Sequence, residues 1–419
     1  MSVPRLRAAL LLPALLAAHT AVWAIALRSF AFPYSPRAAI AQYLSSFVLV
    51  VLSANLLLST RARWLEGAFG GLDKMFATHR VDGAVAAIVI LVHGAVVPIT
   101  TPLVPGRAVG FTALLLLEGS VALAIAPRAP WRRLLFVRYQ TWKAEHRFMG
   151  LIVAAGALHS LLVPTLVRAM PIAAAWVYGC IGIGLSAYAY RETWFRFWAR
   201  RHTYHVAEAT HLGSDVLEVL LDPDRTPIEY VAGQFAFVSF DDGPTRERHP
   251  FTISSAPDGG PLRFSVKASG DYTTALQTGL ATDSSASIEG PYGRFDFRSG
   301  RARQLWLAGG IGITPFLAFL PTVDAQREIH LVWSVHSATD AAYLQEVEAA
   351  CAARPSVSLT LWPTAERGHV DLRELELDRL EQASVYICGP VAMRNALLGQ
   401  LDALGVSRSN AHFEEFTLR

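Results

Sequence analysis

His79-Arg80-Val81-Asp82-Gly83, with His93 and Pro98 downstream, is answered later in the chain by His146-Arg147-Phe148-Met149-Gly150, with His159 and Pro164 downstream. Both stretches read H-R-x-x-G, then a second histidine fourteen or thirteen residues after the first, then a proline five residues on. Both sit at or in apolar runs. Ionisable side chains are expensive there and default to a functional reading, and imidazole is a common haem ligand. At ~1.5 Å of rise per residue the two histidines of one helix stand roughly 20 Å apart, about two-thirds of the hydrocarbon thickness. Helices running in the same direction bring His79 level with His146 and His93 level with His159, one ligand pair near each face. On an ideal helix a spacing of fourteen returns to within ~40° of the same azimuth, whereas thirteen leaves the second histidine ~140° away. The second stretch therefore needs a distortion, or its macrocycle docks from another side.

Working outward, six apolar runs stand before Tyr190: Ala8 to Leu27, Ala38 to Leu58, Val81 to Ile99, Val109 to Ala126, Phe148 to Val167 and Ile172 to Tyr190. Each approaches the ~20 residues a helix needs to cross a bilayer. They account for a composition of 52% hydrophobic and 17% charged residues over 419 positions. With the N-terminus inside, the inner segments carry most of the arginines and lysines, and the outer ones carry only Arg28, Arg37, Arg107 and Arg168. The positive-inside rule then places the N-terminus and the C-terminal half in the cytoplasm of a multi-pass cell (inner) membrane protein. The first run, preceded by Arg5 and Arg7, also fits a signal peptide, whose removal would leave the other helices as they are. A net charge of +3, with its basic residues at membrane edges, gives a nucleic-acid role little support. Cys180, Cys351 and Cys388 have no metal or paired redox spacing, so no disulfide is expected. The solitary His19 reads as a packing or polar-pair residue. Glu118, mid-span, is a proton-path candidate or a neutral or paired buried carboxyl.

After Arg191 the chain reads as soluble. From Thr203 to about Phe297, short alternating strands broken by Gly, Pro and Asp (Val216 to Leu221, Gln234 to Phe240, Leu262 to Lys267) predict a small antiparallel barrel. Within it lie Arg248-His249-Pro250-Phe251-Thr252-Ile253-Ser254-Ser255 and Lys267-Ala268-Ser269-Gly270-Asp271-Tyr272-Thr273-Thr274, the latter opening a helix-like Ala275 to Ala281. Glycine and small hydroxyl residues at a helix start offer backbone donors to a pyrophosphate. From Gln304 the pattern becomes strand, glycine-rich turn, helix. Gln304 to Ala308 precedes Gly309-Gly310-Ile311-Gly312-Ile313-Thr314-Pro315 and the helical Phe316 to Leu320; strands Ile329 to Val335, Val357 to Trp362 and Ser384 to Cys388 follow. This is a doubly wound α/β pattern. Pro315 stands where G-x-G-x-x-G requires its last glycine, so the turn gains weight only with Cys388-Gly389-Pro390, which also follows a strand and falls on the same sheet edge.

The ordered set RHPFTISS, KASGDYTTAL, EGPYG, AGGIGITP, ICGP and HFEEF resembles the flavin and nucleotide domains of the ferredoxin–NADP reductase superfamily. With the histidine-bearing helices in front, the chain from about Leu6 to Leu418 resembles the ferric reductase and NADPH oxidase family. That resemblance implies a multi-domain membrane protein: a six-helix transmembrane haem domain (1–200), an antiparallel β-barrel FAD domain (201–299) and an α/β doubly wound NAD(P)-binding domain (300–419). It implies electron transfer from NADPH or NADH through FAD and two b-type haems to an external acceptor. His79 with His146 and His93 with His159 would hold the haem irons, and Arg80 and Arg147 would pair with propionates. His249, Pro250, Phe251 and Thr252 would line the flavin, with Arg248 near phosphate. Gly270, Tyr272, Thr273 and Thr274 would hold the pyrophosphate. Gly309, Gly310, Gly312, Thr314 and Pro315 would cradle the nucleotide, with Cys388, Gly389 and Pro390 near the nicotinamide and Phe416 over the flavin. Ser334-Val335-His336-Ser337 carries neither an arginine for a 2′-phosphate nor an acidic residue that ends the strand, so the preferred nucleotide stays open. A ferric or other metal chelate is the expected acceptor, with dioxygen, giving superoxide, as the alternative. A sensory cytochrome that binds nucleotide without turnover would not require both sets of signatures.

Overall fold

The structure is a computed structural model and describes residues 3–28, 35–97, 105–125, 139–195, 202–213, 215–241, 247–375, 377 and 379–414. The chain divides into two units, Val3–Ala199 and Arg200–Arg419.

The first unit is helical: α1 (Val3–Arg28), α2 (Pro36–Leu58), α3 (Arg63–Phe69), α4 (Leu72–Val96), α5 (Pro105–Ile125), α6 (Tyr139–His146), α7 (Met149–Leu162), α8 (Leu166–Ala169) and α9 (Pro171–Tyr190). Among the described residues, five stretches are long and apolar enough to cross a membrane: Leu10–Arg28, Pro36–Leu58, Leu72–Val96, Gly106–Ile125 and Pro171–Thr193. The expected fifth run, Phe148 to Val167, is not one helix. The chain turns at Arg147-Phe148, and α7 stops at Val163, whose extended backbone precedes Pro164. A residue before proline is pushed out of the helical region, which explains the stop. Fourteen residues at ~1.5 Å each reach only about 21 Å, short of the hydrocarbon core.

The burial pattern of this unit is inverted relative to a soluble protein. Leu115, Ile88 and Ile183 are at least 60% exposed, whereas His19, Ser53, Asn55 and Asp82 are at most 5% exposed. A helix surface that faces lipid is apolar outward and hides its polar groups inward. Helix α2 packs chiefly on α4 and α9, and α5 on α7. A side chain at Gly184 would strike the Ser53 backbone, so α9 and α2 are in close contact there. His19 is tied on three sides: Nε2 lies 3.3 Å from the Tyr43 carbonyl oxygen and 3.2 Å from Ser46 Oγ, and Trp176 Nε1 donates to Nδ1 at 3.3 Å.

The second unit begins with β1 (His202–Leu212), β2 (Val216–Pro223), β3 (Phe235–Phe240), β4 (His249–Thr252), β5 (Leu262–Lys267) and β6 (Ser285–Tyr292), an antiparallel sheet in the order β4-β3-β6-β1-β2-β5. An Ile253–Phe264 bridge links the chain after β4 to β5 at the other edge and curls the sheet toward a barrel. Its interior holds Tyr204, Val219, Phe240, Phe264 and Leu276, all at most 1% exposed. Next come β7 (Arg303–Gly309), β8 (Glu328–Val335), β9 (Val357–Pro363), β10 (Ser384–Cys388) and β11 (Ala411–Phe413), all parallel, in the order β11-β10-β7-β8-β9. The order reverses between β7 and β10, and such a switch point opens a crevice at the carboxyl ends of the strands. The strands lie within two residues of their expected limits. The helix expected at Ala275 to Ala281 spans Asp271–Gly279 instead, because Thr273 Oγ1 accepts from Ser269 N (2.9 Å) and Gly270 N (3.1 Å) and starts it earlier.

Candidate functional site

The helical unit brings the four repeated histidines into two pairs. The imidazole centroids of His79 on α4 and His146 at the end of α6 are 6.1 Å apart with planes at 81°. Two imidazoles bound to opposite sides of one metal through bonds of about 2 Å have centroids roughly 6 Å apart. Nδ1 of each ring is buried with no hydrogen-bond partner among the described residues. Farther along α4, His93 Nδ1 lies 2.8 Å from Ala41 O, and on α7, beyond the turn, His159 Nδ1 lies 2.6 Å from Gly106 O. A carbonyl only accepts, so both Nδ1 atoms carry the proton and each Nε2 keeps its lone pair for a ligand role. Gly110 makes room for the His159 ring, since a Cβ there would lie 2.6 Å from Nδ1. The turn at Arg147-Phe148 divides the stretch, so the thirteen-residue spacing from His146 to His159 is not carried by one continuous helix.

The other residues singled out in the helical half of the sequence have different neighbours. Arg147 donates to Glu192 Oε2 through Nε (3.2 Å) and Nη2 (2.7 Å), so its guanidinium has a carboxylate partner. Arg80 is exposed next to His79. A Cβ at Gly150 would strike the Tyr188 ring, and one at Gly83 would touch Asn55 Nδ2 at 3.5 Å. Both glycines therefore admit neighbouring helices. Asn55 also donates to the His79 carbonyl at 3.1 Å. Glu118 Oε1 is buried and without a hydrogen-bond partner among the described residues.

In the barrel, β4 carries His249 to Thr252 along β3, with His249 opposite Val238 and Thr252 opposite Phe235. The His249 ring stacks on Tyr272 at 3.7 Å and 17°, so the two motifs expected at the flavin meet in one aromatic face. Burial pushes the Tyr272 hydroxyl well above its ordinary range. Arg248 Nη1 donates to the buried Glu289 Oε2 at 2.9 Å. Thr274 N closes the following helix on Gly270 O at 2.9 Å.

The glycine turn after β7 and Cys388-Gly389-Pro390 after β10 lie side by side at the switch point. A Cβ on Gly312 would strike the Cys388 carbonyl, and one on Gly309 would crowd Met393 and Pro390. Trp333 Nε1 donates to Gly310 O at 2.9 Å and fixes the turn. Thr314 Oγ1 donates to Ile311 O at 3.1 Å, and Pro315 opens the buried helix that follows. A cleft bordered by Gly310, Ile313, Trp333 and His336 from this sheet, and by Val216 and Lys267 from the barrel, runs along this edge.

Residues 201–296 match the FAD-binding domain family, and residues 306–398 match the oxidoreductase NAD-binding domain. The second unit is an FAD- and NAD-binding oxidoreductase module. The electron transfer component of toluate 1,2-dioxygenase from Pseudomonas putida is 28% identical over 40% of this chain and 53% of its own length. The heavy chain of a superoxide-generating NADPH oxidase from Dictyostelium discoideum is 30% identical over 44% of this chain and 37% of its own. The chain thus covers about half or less of these relatives. Flavohemoglobin from Malassezia yamatoensis, solved with FAD and haem, aligns with a TM-score of 0.52 at 18% identity over 91% of this chain and 99% of that one, a likeness of fold. The Dictyostelium relative is consistent with the ferric reductase and NADPH oxidase family to which the motifs point.

Within the oxidoreductase module, Cys388 is buried, and burial raises its thiol well above the ordinary range, with the Glu414 carboxylate adding to the rise. Phe416 lies outside the described residues. Sequence reading missed several groups. The Ala41 and Gly106 carbonyls have no side-chain signature at all. Asp340, also at the cleft, follows β8 by five residues instead of ending it. It accepts from Ser337 N (2.9 Å) and Ser337 Oγ (2.8 Å), which holds its carboxyl below the usual range.

Proposed function

We propose that the chain is a membrane flavocytochrome that moves electrons from NADPH or NADH at the cytoplasmic face to an acceptor on the far side, with FAD and two b-type haems as prosthetic groups. The observation that carries this reading is the His79–His146 pair, two imidazoles whose centroids stand 6.1 Å apart, the separation that one iron requires. The segments are a haem-binding membrane domain (1–200), an FAD domain (201–299) and a nucleotide domain (300–419). The broken helix from Tyr139 to Leu162 completes six spans, its turn rotating His146 relative to His159.

His93 and His159 would hold the second iron, oriented by the Ala41 and Gly106 carbonyls. The stacked His249–Tyr272 face, with Pro250, Phe251 and Thr252, would line the flavin. Gly270, Thr273 and Thr274 would present helix-start amides to its pyrophosphate. The turn from Gly309 to Pro315, with Gly389 and Pro390, would hold the nucleotide, and the protonated Cys388 thiol would pack near the nicotinamide. Bound flavin supplies exchange between a two-electron donor and one-electron acceptors, which the haem irons are. Two histidines per iron leave no open coordination position, so the acceptor would be reduced without binding iron. A ferric or other metal chelate fits that requirement. The Dictyostelium relative, by its name, generates superoxide, and dioxygen is the second reading.

The test is the visible spectrum of the purified protein with FAD, recorded without oxygen as NADPH or NADH is added. The haem bands should reduce with nucleotide, and the faster reoxidant, ferric chelate or air, then identifies the acceptor. Reduction by dithionite alone would rule out the route from nucleotide to haem.

A further inference from the structure

We propose that Arg263 is a positioning residue that fixes the flavin-binding strand against the nucleotide cleft at the spacing that hydride transfer requires. The proposal rests on the reading of those two motifs as flavin and nucleotide sites. Arg263 lies on β5 at the barrel edge. Its Nη2 donates to Ser254 O at 3.0 Å, in the segment that continues β4. The same guanidinium reaches across to the helix Leu344–Ala352 of the nucleotide domain, where Nη1 and Nη2 each donate to one oxygen of Glu346 at 2.8 Å. Glu218 Oε2 approaches to 3.7 Å, and the guanidinium carbon stands 5.4 Å from the Tyr343 ring.

Two residues along the same strand face, Ser265 Oγ lies 2.6 Å from Tyr343 OH and 3.2 Å from Ser254 Oγ. Ser254, Ser265 and Tyr343 are all less than 9% exposed. Tyr343 is both the residue from which that helix starts and part of the cleft wall. A single planar fork therefore joins the end of the flavin motif to the start of the helix that borders the nucleotide.

Holding two domains together does not by itself require an ion pair, since apolar residues of similar volume serve stability as well or better. What the bidentate Arg–carboxylate contact adds is a fixed distance and angle. The step that depends on both is the transfer of one hydride, a proton with two electrons, from the reduced nicotinamide to the flavin. Geometric errors of about 1 Å in such a step cost on the order of a hundredfold in rate.

The experiment uses the full chain in detergent with FAD, mixed rapidly with NADPH or NADH without oxygen, and follows flavin reduction per bound flavin. Glu346→Gln and Arg263→Lys should each lower the limiting rate about tenfold while the half-saturating nucleotide concentration stays within about twofold, the signature of a lost transition-state arrangement. The primary isotope effect with nucleotide deuterated at the transferring carbon should rise. Unchanged limiting rates per bound flavin, with only melting temperature or flavin content reduced, would overturn the proposal. Absence of flavin reduction in the unaltered protein would instead overturn the underlying site assignment. Should Glu346→Gln fail to retain FAD, Arg263→Lys keeps the charge without the fork and decides the matter.

Discussion

Gly312 and Gly310 sit two residues apart in the turn after β7 and are glycine for different reasons. A methyl group on Gly312 would strike the Cys388 carbonyl, part of the neighbouring strand's backbone, which has no rotamer with which to move aside. Gly310 has open space around it but a φ of +53°, which an L side chain tolerates poorly. Gly312→Ala should therefore cost about 1–3 kcal/mol through overpacking. It should also push the glycine turn away from Cys388-Gly389-Pro390, seen as a lower melting temperature together with weaker nucleotide binding. Wild-type nucleotide affinity in this variant would show that the two loops do not act as one site. Cys388 makes a pH-dependent case at the same scale. Its thiol is raised above the ordinary value of 9.0, so its contribution to stability is complete below that pH and is lost as the pH climbs through the higher folded value. At pH 8 the native chain should alkylate with iodoacetamide at Cys388 far more slowly than the unfolded chain, as read by peptide mass. Equal rates would mean that the thiol is not buried as described.

At the scale of elements, legibility followed the kind of signal. The strands of the second unit were readable because alternation of apolar residues maps directly onto burial along a strand. The barrel helix began four residues before its expected start because a threonine hydroxyl, not an apolar residue, sets its first turn. The break in the fifth apolar run was half legible. The thirteen-residue spacing from His146 to His159 asked for a distortion or a macrocycle docked from another side, but nothing in Arg147-Phe148 said that the helix would be fully interrupted. The carbonyls that orient His93 and His159 were invisible, since every residue has one. The pairing of Arg263 with Glu346 was invisible because the two are 83 residues apart. Helix α5 yields a prediction of its own. Gly110 is the space in which the His159 ring lies, so Gly110→Val should displace the imidazole from the Gly106 carbonyl, a loss of about 1 kcal/mol in hydrogen bonding. On the haem reading, haem per chain should fall toward one while nucleotide-driven flavin reduction continues. Full haem content would separate Gly110 from the site.

At the scale of the whole molecule, the helical unit's inverted burial is the pattern expected of helices that face lipid. If His93 and His159 hold the second iron, His93→Leu should abolish reduction of one haem and leave flavin reduction by nucleotide intact, and retention of both haems would remove the assignment. The three-sided contact of His19 bears on how such a bundle is made. Its imidazole, in α1, accepts from Trp176 in α9, 157 residues later in the chain. If the helical unit inserts into a bilayer during synthesis at ~5–20 residues per second, α1 would enter it many seconds before its donor exists. In the interval the ring nitrogen would sit in hydrocarbon with an unmet bond, a condition that would keep α1 from settling. The last helix is thus the keystone of the bundle, and truncation before Trp176 should leave the first helices accessible to the cell's membrane proteases.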